Sequence, residues 1–279
     1  MKLILPSPAK INLSLWVKGK RTDGYHEIIT VMHTINLIDT ISFLPADRLE
    51  FSIKGNNSLP LGKDNLIIKA CKLFEEKTGI KPKVKITLEK KIPVGAGLGG
   101  GSSNAATTLK GLNIIYGKPL KEEELFELAT QLGSDVPFFL KGGLAIAYGR
   151  GEKLKNYKKG NFKILLVYPY FSCSTKEVYE AMPPVKKDVS LEDAEQLIVM
   201  PLLTENLKEL EENMENDLEL SKALCITQVK EVKKALEAIG LKALMSGSGS
   251  SVFALIKEEK IDLTPLKKFG WWIKLLSAI

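Results

Sequence analysis

Pro93-Val94-Gly95-Ala96-Gly97-Leu98-Gly99-Gly100-Gly101-Ser102-Ser103 runs straight into the helix-prone Asn104-Ala105-Ala106-Thr107-Thr108-Leu109. Five glycines among those eleven residues let the backbone turn tightly and gather several N–H groups on one concave surface. The helix that follows adds its unpaired first-turn N–H groups and the positive end of its dipole, so the unit is built to hold an anion. A plain connector between a strand and a helix takes about two to six residues and has no need of so many glycines. No Gly-Lys-Ser/Thr closes the segment, so it is not a Walker A loop. Nor do Gly95, Gly97 and Gly101 follow the dinucleotide-binding spacing. It reads as a phosphate loop of another kind.

Working outward, Val84, Ile86 and Leu88 form the strand that feeds the loop, and the helix leaving it ends at Gly117. A helix over 121–132 follows, then the turn Gly133-Ser134-Asp135-Val136-Pro137. Upstream, Asp64 or Asn65 caps a helix with Leu66, Ala70, Leu73 and Phe74 on one stripe, stopped by Gly79. Near the start, Ala9, Ile11, Leu13, Leu15 and Val17 alternate with Lys10, Asn12, Ser14 and Trp16, which predicts a half-buried strand with Lys10, Asn12 and Ser14 on one face. Further strands are expected at 27–36, 40–44, 50–54, 144–148, 162–168 and 271–276, and a helix at 258–269. A second glycine-rich segment, Ser246-Gly247-Ser248-Gly249-Ser250-Ser251, turns between two strands. The mixture without strict alternation indicates an α+β fold rather than a doubly wound sheet. The polar, basic run at 156–160 marks the expected boundary between an N-terminal domain over 1–155 and a C-terminal domain over 156–279.

No apolar stretch approaches the roughly 20 residues a membrane helix needs, and Pro6 interrupts any secretory core. A soluble, cytoplasmic protein is expected. Cys71, Cys173 and Cys225 are odd in number and lack metal-ligand spacing, so reduced thiols and no zinc site are expected. A formal charge of +7 suits phosphate-bearing small molecules. It would also suit nucleic acid, but the lysines are spread along the chain rather than gathered in one basic arm.

A few residues have chemical as well as structural readings. Lys10 is either a snorkelling surface lysine or an ammonium turned toward an anion. Asp135 is either a helix cap or a carboxylate that accepts a proton from a substrate hydroxyl. Tyr25-His26 offers a flat face and a polar edge to a nucleobase, and Tyr179 either closes such a pocket or packs in the core. Ser246 and Gly247 belong either to an ordinary hairpin turn or to a second ligand-approaching segment.

Pro8-Ala9-Lys10-Ile11-Asn12-Leu13, the loop at 93–103 and the turn at 246–251 occur in the order that resembles the GHMP kinases. Ser7, Asp23-Gly24-Tyr25-His26-Glu27, Asp64-Asn65-Leu66-Ile67 and Gly133-Ser134-Asp135-Val136-Pro137-Phe138-Phe139 extend the likeness to the branch acting on cytidine-diphosphate-linked methylerythritol. The resemblance implies an N-terminal domain like the second domain of ribosomal protein S5 and a ferredoxin-like C-terminal domain. It implies ATP-dependent phosphorylation of that substrate's tertiary 2-hydroxyl, in the non-mevalonate route to isopentenyl diphosphate. Lys10 and Asp135 would be the catalytic pair. Pro93, Val94, Gly95, Ala96, Gly97, Leu98, Gly99, Gly100, Gly101, Ser102 and Ser103 would wrap the ATP phosphates, with Asn65 and Leu66 near adenine. Tyr25, His26 and Tyr179 would hold cytosine, with Met32 standing where an aromatic is expected. Asn12 and Arg150 would address the substrate's polar groups and diphosphate, and Ser246 and Gly247 would lie at the substrate. Mg²⁺ is expected with ATP; Ser102 and Ser103 are both open as ligands, and no acidic ligand stands out. Neither nucleic acid nor membrane is an expected partner. The alternatives are another small-molecule kinase of the family, for homoserine or mevalonate, and a non-catalytic nucleic-acid-binding protein.

Overall fold

The computed structural model describes residues 2–55, 60–185, 187–257 and 261–279. In chain order its elements are β1 (Leu3–Lys20), β2 (His26–Pro45), β3 (Glu50–Lys54), α1 (Leu66–Thr78), β4 (Val84–Glu89), α2 (Gly100–Ile115), α3 (Glu122–Leu132), α4 (Val136–Lys141), β5 (Leu144–Gly149), β6 (Lys153–Tyr157) and β7 (Lys163–Tyr168). There follow α5 (Thr175–Glu180), α6 (Leu191–Ala194), α7 (Met200–Leu203), α8 (Leu207–Asn213), α9 (Leu224–Glu237), β8 (Ala243–Met245), β9 (Val252–Ile256) and β10 (Trp272–Ser277). Strands and helices mix without strict alternation, as the sequence predicts. The chain forms two compact units that interleave along the sequence. One comprises Met1–Ala9, Leu37–Ile92 and Gly99–Gly142, the other Lys10–Asn36, Pro93–Leu98 and Gly143–Ile279.

In the first unit the second half of β2 pairs antiparallel with β4, Thr40 opposite Glu89 and Pro45 opposite Val84, and β3 joins β4 in parallel. Asn65 caps α1 by accepting from the Ile67 N–H at 2.9 Å, and Gly79 closes the helix in the left-handed region. Ile67, Ala70, Cys71 and Phe74 form the buried stripe of α1. Burial pushes the Cys71 thiol up to about 12. Gly111 lets α2 lie close on β2, since a Cβ there would land on the Phe43 ring. Full burial of side chains such as Phe43 and Phe74 contributes about 1.5–3 kcal/mol each.

In the second unit the first half of β2 pairs antiparallel with β5, and β5 with β6. A four-stranded antiparallel sheet has the order β10-β7-β9-β8. Leu15, Val17 and Ile28 join Leu165, Val167, Ile226, Val229, Val232 and Leu236 in one apolar cluster, so the stripe of α9 packs into the same core as β1 and β7.

The structure corrects several expectations. The first strand is not half-buried: every residue from Ala9 to Val17 is buried, Lys10, Asn12 and Ser14 included. Its polar face is hydrogen-bonded within the protein: Lys10 to Asn12, Asn12 to Thr30, and the Val31 N–H to the Ser14 hydroxyl. Residues 27–36 and 40–44 belong to one uninterrupted strand, β2. Asp39, which falls between those two expected strands, sits inside it with no exposure because its carboxylate is fully hydrogen-bonded. Of the helix expected at 258–269, residues 258–260 lie outside the described residues, and a short 3-10 turn, Thr264–Phe269, takes the end of the segment. The three thiols are not all reduced: Cys173 and Cys225 form a disulfide with a Cα–Cα distance of 5.7 Å, and only Cys71 is a free cysteine. The loop bearing Cys173 and the start of α9 meet through their shared apolar core. Among the described residues no helix is long and apolar enough to cross a membrane.

Candidate active site

The second unit carries Lys10, Asn12, Tyr25, His26, Pro93–Leu98, Arg150, Tyr179, Ser246 and Gly247; the first carries Asn65, Leu66, Gly99, Gly100, Gly101, Ser102, Ser103 and Asp135.

In the second unit the glycine loop is pinned from behind. Ala96 and Leu98 are buried, whereas Val94 and Gly95 are exposed. The Leu98 carbonyl accepts from the Lys10 N–H at 3.0 Å, the Ala96 carbonyl from Ser251 N–H at 3.1 Å, and the Gly95 carbonyl from Cys173 N–H at 3.3 Å. Ser246 Oγ donates to the Gly97 carbonyl at 3.0 Å. Gly97 has φ 74°, and a Cβ there would strike the Ser246 carbonyl oxygen. The two glycine-rich segments therefore touch backbone to backbone, which only glycine permits.

Lys10 is brought to this junction. A Cβ built on Gly247 would lie 3.1 Å from Lys10 Nζ, 3.1 Å from the Gly97 carbonyl oxygen and 3.3 Å from Asn12 Oδ1. Lys10 Nζ donates to Asn12 Oδ1 at 2.5 Å, Asn12 Nδ2 to Thr30 Oγ1 at 2.8 Å, and Thr30 Oγ1 to the Ser14 carbonyl. This relay fixes the Asn12 amide with its oxygen toward the ammonium, where a buried cation needs an acceptor. Thr30 is a supporting residue that sequence reasoning missed, because it comes from β2. Asn216 was missed as well: its Nδ2 donates to the Met245 and Gly247 carbonyls, both at 2.8 Å, and holds the Ser/Gly turn open.

The aromatic residues form two pairs. His26 stacks on Tyr179 with centroids 5.0 Å apart, and the Arg150 guanidinium carbon lies 4.9 Å from the centroid of the half-exposed Tyr25 ring. Burial, with the nearby Lys20 charge, pushes the His26 pKa down, which favours a neutral imidazole with one donor and one acceptor. Met32 is fully buried in β2.

In the first unit Gly99, with φ 67°, precedes the sixteen residues of α2, and the first helical bond closes from Ser103 N–H to the Gly99 carbonyl at 2.9 Å. The preceding N–H groups of the first turn have no intrahelical partner. Leu66 lies close by, its Cδ1 3.6 Å from a Cβ built on Gly101. Asn65 is occupied as the cap of α1 and by a bond from its Nδ2 to the Pro60 carbonyl at 2.8 Å. Ser103 is fully buried with its hydroxyl 2.8 Å from that of Ser7, whereas Ser102 is half-buried. Asp135 occupies the position just before α4, and its side chain makes no capping hydrogen bond to that helix. No group of three or more His, Cys, Asp or Glu with metal-holding geometry occurs among the described residues.

Residues 65–143 match the GHMP kinases N terminal domain, and 199–263 match the GHMP kinases C terminal domain. The chain is 48% identical to the 4-diphosphocytidyl-2-C-methyl-D-erythritol kinase of Persephonella marina, over 99% of this chain and 98% of that one. It is 44% identical to the enzyme of the same name from a Sulfurihydrogenibium species, over 90% of each. A crystal structure of 4-(cytidine 5'-diphospho)-2C-methyl-D-erythritol kinase aligns with a TM-score of 0.81 at 35% identity, covering 98% of this chain and 99% of that one. A homoserine kinase from Cytophaga hutchinsonii, with a TM-score of 0.73 at 19% identity over 100% of this chain and 94% of that one, shares the fold. With both domain matches in order and relatives aligned over nearly their whole length, the chain belongs to the GHMP kinase family of small-molecule kinases.

Proposed function

We propose that this chain transfers the γ-phosphoryl group of ATP to the 2-hydroxyl of 4-diphosphocytidyl-2-C-methyl-D-erythritol, giving the 2-phosphate and ADP in the non-mevalonate route to isopentenyl diphosphate. The observation that carries this reading is the junction of the glycine loop, the Ser/Gly turn and Lys10 Nζ, in a chain with so high an identity to kinases named for that substrate.

The exposed backbone of the loop and the open first turn of α2 hold the ATP phosphates. Each charged hydrogen bond from the loop contributes about 1.5–3 kcal/mol, so a few of them outweigh the helix dipole at about 0.3–1 kcal/mol. Leu66 packs against adenine; Asn65 shapes that wall by capping α1. The acceptor oxygen attacks phosphorus in line as the bond to the ADP oxygen breaks, and the hydroxyl proton passes to Asp135. Lys10, oriented by Asn12, offsets the negative charge developing on the transferred group. Because the transition state is loose, positioning outweighs basicity. When bound with ATP, Mg²⁺ would neutralise phosphate charge. Among the described residues no group of three or more His, Cys, Asp or Glu would hold it, which leaves hydroxyls of the loop as the protein groups for the ion. Ser102 would be the hydroxyl that meets it, since Ser103 is buried against Ser7.

His26, Tyr179 and Tyr25 receive the cytosine. Arg150 lies over Tyr25 where the adjoining diphosphate would pass, and Gly247 keeps the acceptor side clear beside Lys10. A division at 155/156 would separate the two matched family segments, which end at 143 and begin at 199. Coupled ADP release with ATP and the cytidine-linked alcohol tests the assignment against homoserine and mevalonate as acceptors. Turnover of either rival in preference would replace this substrate.

A further inference from the structure

A buried carboxylate outside the residues assigned above touches both stems of the glycine loop. Asp39, within β2, has no solvent exposure. Its Oδ1 accepts from the Lys91 N–H at 2.7 Å and the Ile92 N–H at 2.8 Å, the last residues before Pro93 opens the loop. Its Oδ2 accepts from Lys90 Nζ at 2.5 Å and from Asn104 Nδ2 at 2.9 Å. Asn104 lies in the first turns of α2, where the loop ends, and its Nδ2 also meets Ser7 Oγ at 2.9 Å. Lys90 completes the ring: it reaches Asn104 Oδ1 at 3.4 Å, and its Nζ lies 2.8 Å from a Cβ built on Gly100.

We infer that Asp39 is a positioning residue for nucleotide binding: it ties the entering stem (Lys91, Ile92) to the leaving stem (Asn104) and so fixes the gap that the phosphate-binding backbone must span. Two features set it apart from an ordinary buried ion pair. First, its bonds concentrate on the ends of one functional loop rather than on scattered core positions. Second, Lys90 places a cation beside the positive end of α2, where a helix favours an anion. Burial pushes the Lys90 pKa down and Asp39 opposes that effect. The carboxylate thus cancels a charge that the helix terminus would repel, and its second oxygen remains free to hold the stem amides. Fixing those stems beforehand removes ordering that ligand binding would otherwise have to supply.

This inference rests on the kinase reading only in so far as the loop holds a nucleotide. Its deciding comparison, ADP binding by two variants, needs no acceptor; the cytidine diphosphate control alone draws on the acceptor reading. Two double variants both remove the buried charge pair and differ in one respect. Asp39→Asn with Lys90→Met keeps an oxygen for the stem N–H groups; Asp39→Leu with Lys90→Met removes it. ADP affinity is measured by calorimetry at a temperature where both are folded by circular dichroism, with cytidine diphosphate as the control ligand. The Asn variant is expected to bind ADP within about threefold of the parent, and the Leu variant about tenfold or more weakly. Cytidine diphosphate should change by less than about twofold in both. Equal ADP affinities of the two variants overturn the inference, as does parallel loss of both ligands. A parent chain that binds no ADP overturns it too. Native-state hydrogen exchange of the parent gives a reading that needs no variant. The Lys91 and Ile92 amides should be as protected as those of the strands, with or without ADP, and exchange as fast as an exposed turn would refute the tie.

Discussion

Gly95, Gly97 and Gly99 take φ of 66°, 74° and 67°, and Gly247 and Gly249 take 54° and 86°, so the loop and the Ser/Gly turn use the same left-handed backbone. Their surroundings differ. Val94, Gly95 and Gly101 are exposed, and the chain continues into a long helix whose first N–H groups lack helical partners. Ser246, Ser248, Ser250 and Ser251 are all buried, and the turn gives its groups to other parts of the protein: Ser246 Oγ to Gly97, Ser251 N–H to Ala96, Ser250 Oγ to the Phe171 carbonyl. Glycine in the first leaves backbone open for a ligand. In the second it lets one backbone press against another. Composition alone does not distinguish the two uses; what lies on the far side of the glycine does.

If the open loop binds nucleotide independently of the chemistry, Asp135→Asn separates the two most widely. Its kcat should fall by about 10²–10⁴ while ADP affinity, read by calorimetry, holds within about twofold. Turnover at the parental rate would remove Asp135 from the mechanism. Gly97→Ala probes the contact between the segments. The added Cβ meets the Ser246 carbonyl and lies 2.9 Å from the Gly249 carbonyl oxygen, so a loss of roughly 2–4 kcal/mol in urea unfolding is expected. Gly101→Ala is its counterpart on the open side: the nearest atom is Leu66 Cδ1 at 3.6 Å. Its stability should hold or rise by up to about 1 kcal/mol; an equal loss in both variants would dissolve the contrast. Asn216→Ala takes a donor from the Met245 and Gly247 carbonyls and should cost about 1–3 kcal/mol in the same assay. Its effect on ADP affinity should be smaller than that of Gly97→Ala.

The smallest effect is expected away from both segments. His33 is buried, its Nδ1–H donates to the Thr34 carbonyl at 2.8 Å and its Nε2 accepts from Gly160 N–H at 3.0 Å. Burial first, and Lys159 after it, push its pKa down, against the opposing Thr34 bond. The folded state therefore favours the neutral ring. This stabilisation is complete above the unfolded value of about 6.5 and is lost as pH falls toward the folded pKa. Unfolding of the parent and of His33→Gln at pH values on either side of that point should show the parent's steeper decline; parallel curves would exclude His33 as the cause.

The glycine-rich loop, a cap at Asp64 or Asn65 and the bounds of β3 were legible because glycine, Asx and period-two patterns act within a few residues. Asp39 was not: the groups it binds lie 51 to 65 positions away, and it fell between the two strands expected at 27–36 and 40–44. The same distance hid the Cys173–Cys225 bond, which spans 52 positions. The alternation of β1 gave the right element and the wrong exposure, since polar residues that satisfy one another need no water. The sequence offers candidate site residues, while Thr30, Asn216 and Asp39, which hydrogen-bond the segments carrying them, come from stretches with no signature of their own.

Along β1 the candidate site residues Lys10 and Asn12 alternate with the apolar Ala9, Ile11 and Leu13, and all five are buried. Deleting or inserting one residue within this stretch would turn each set into the space shaped for the other. On the proposed roles of Lys10 and Asn12 the strand serves as a ruler for the chemistry, and evolutionary changes of length should be confined to exposed connections such as the turn at 22–25.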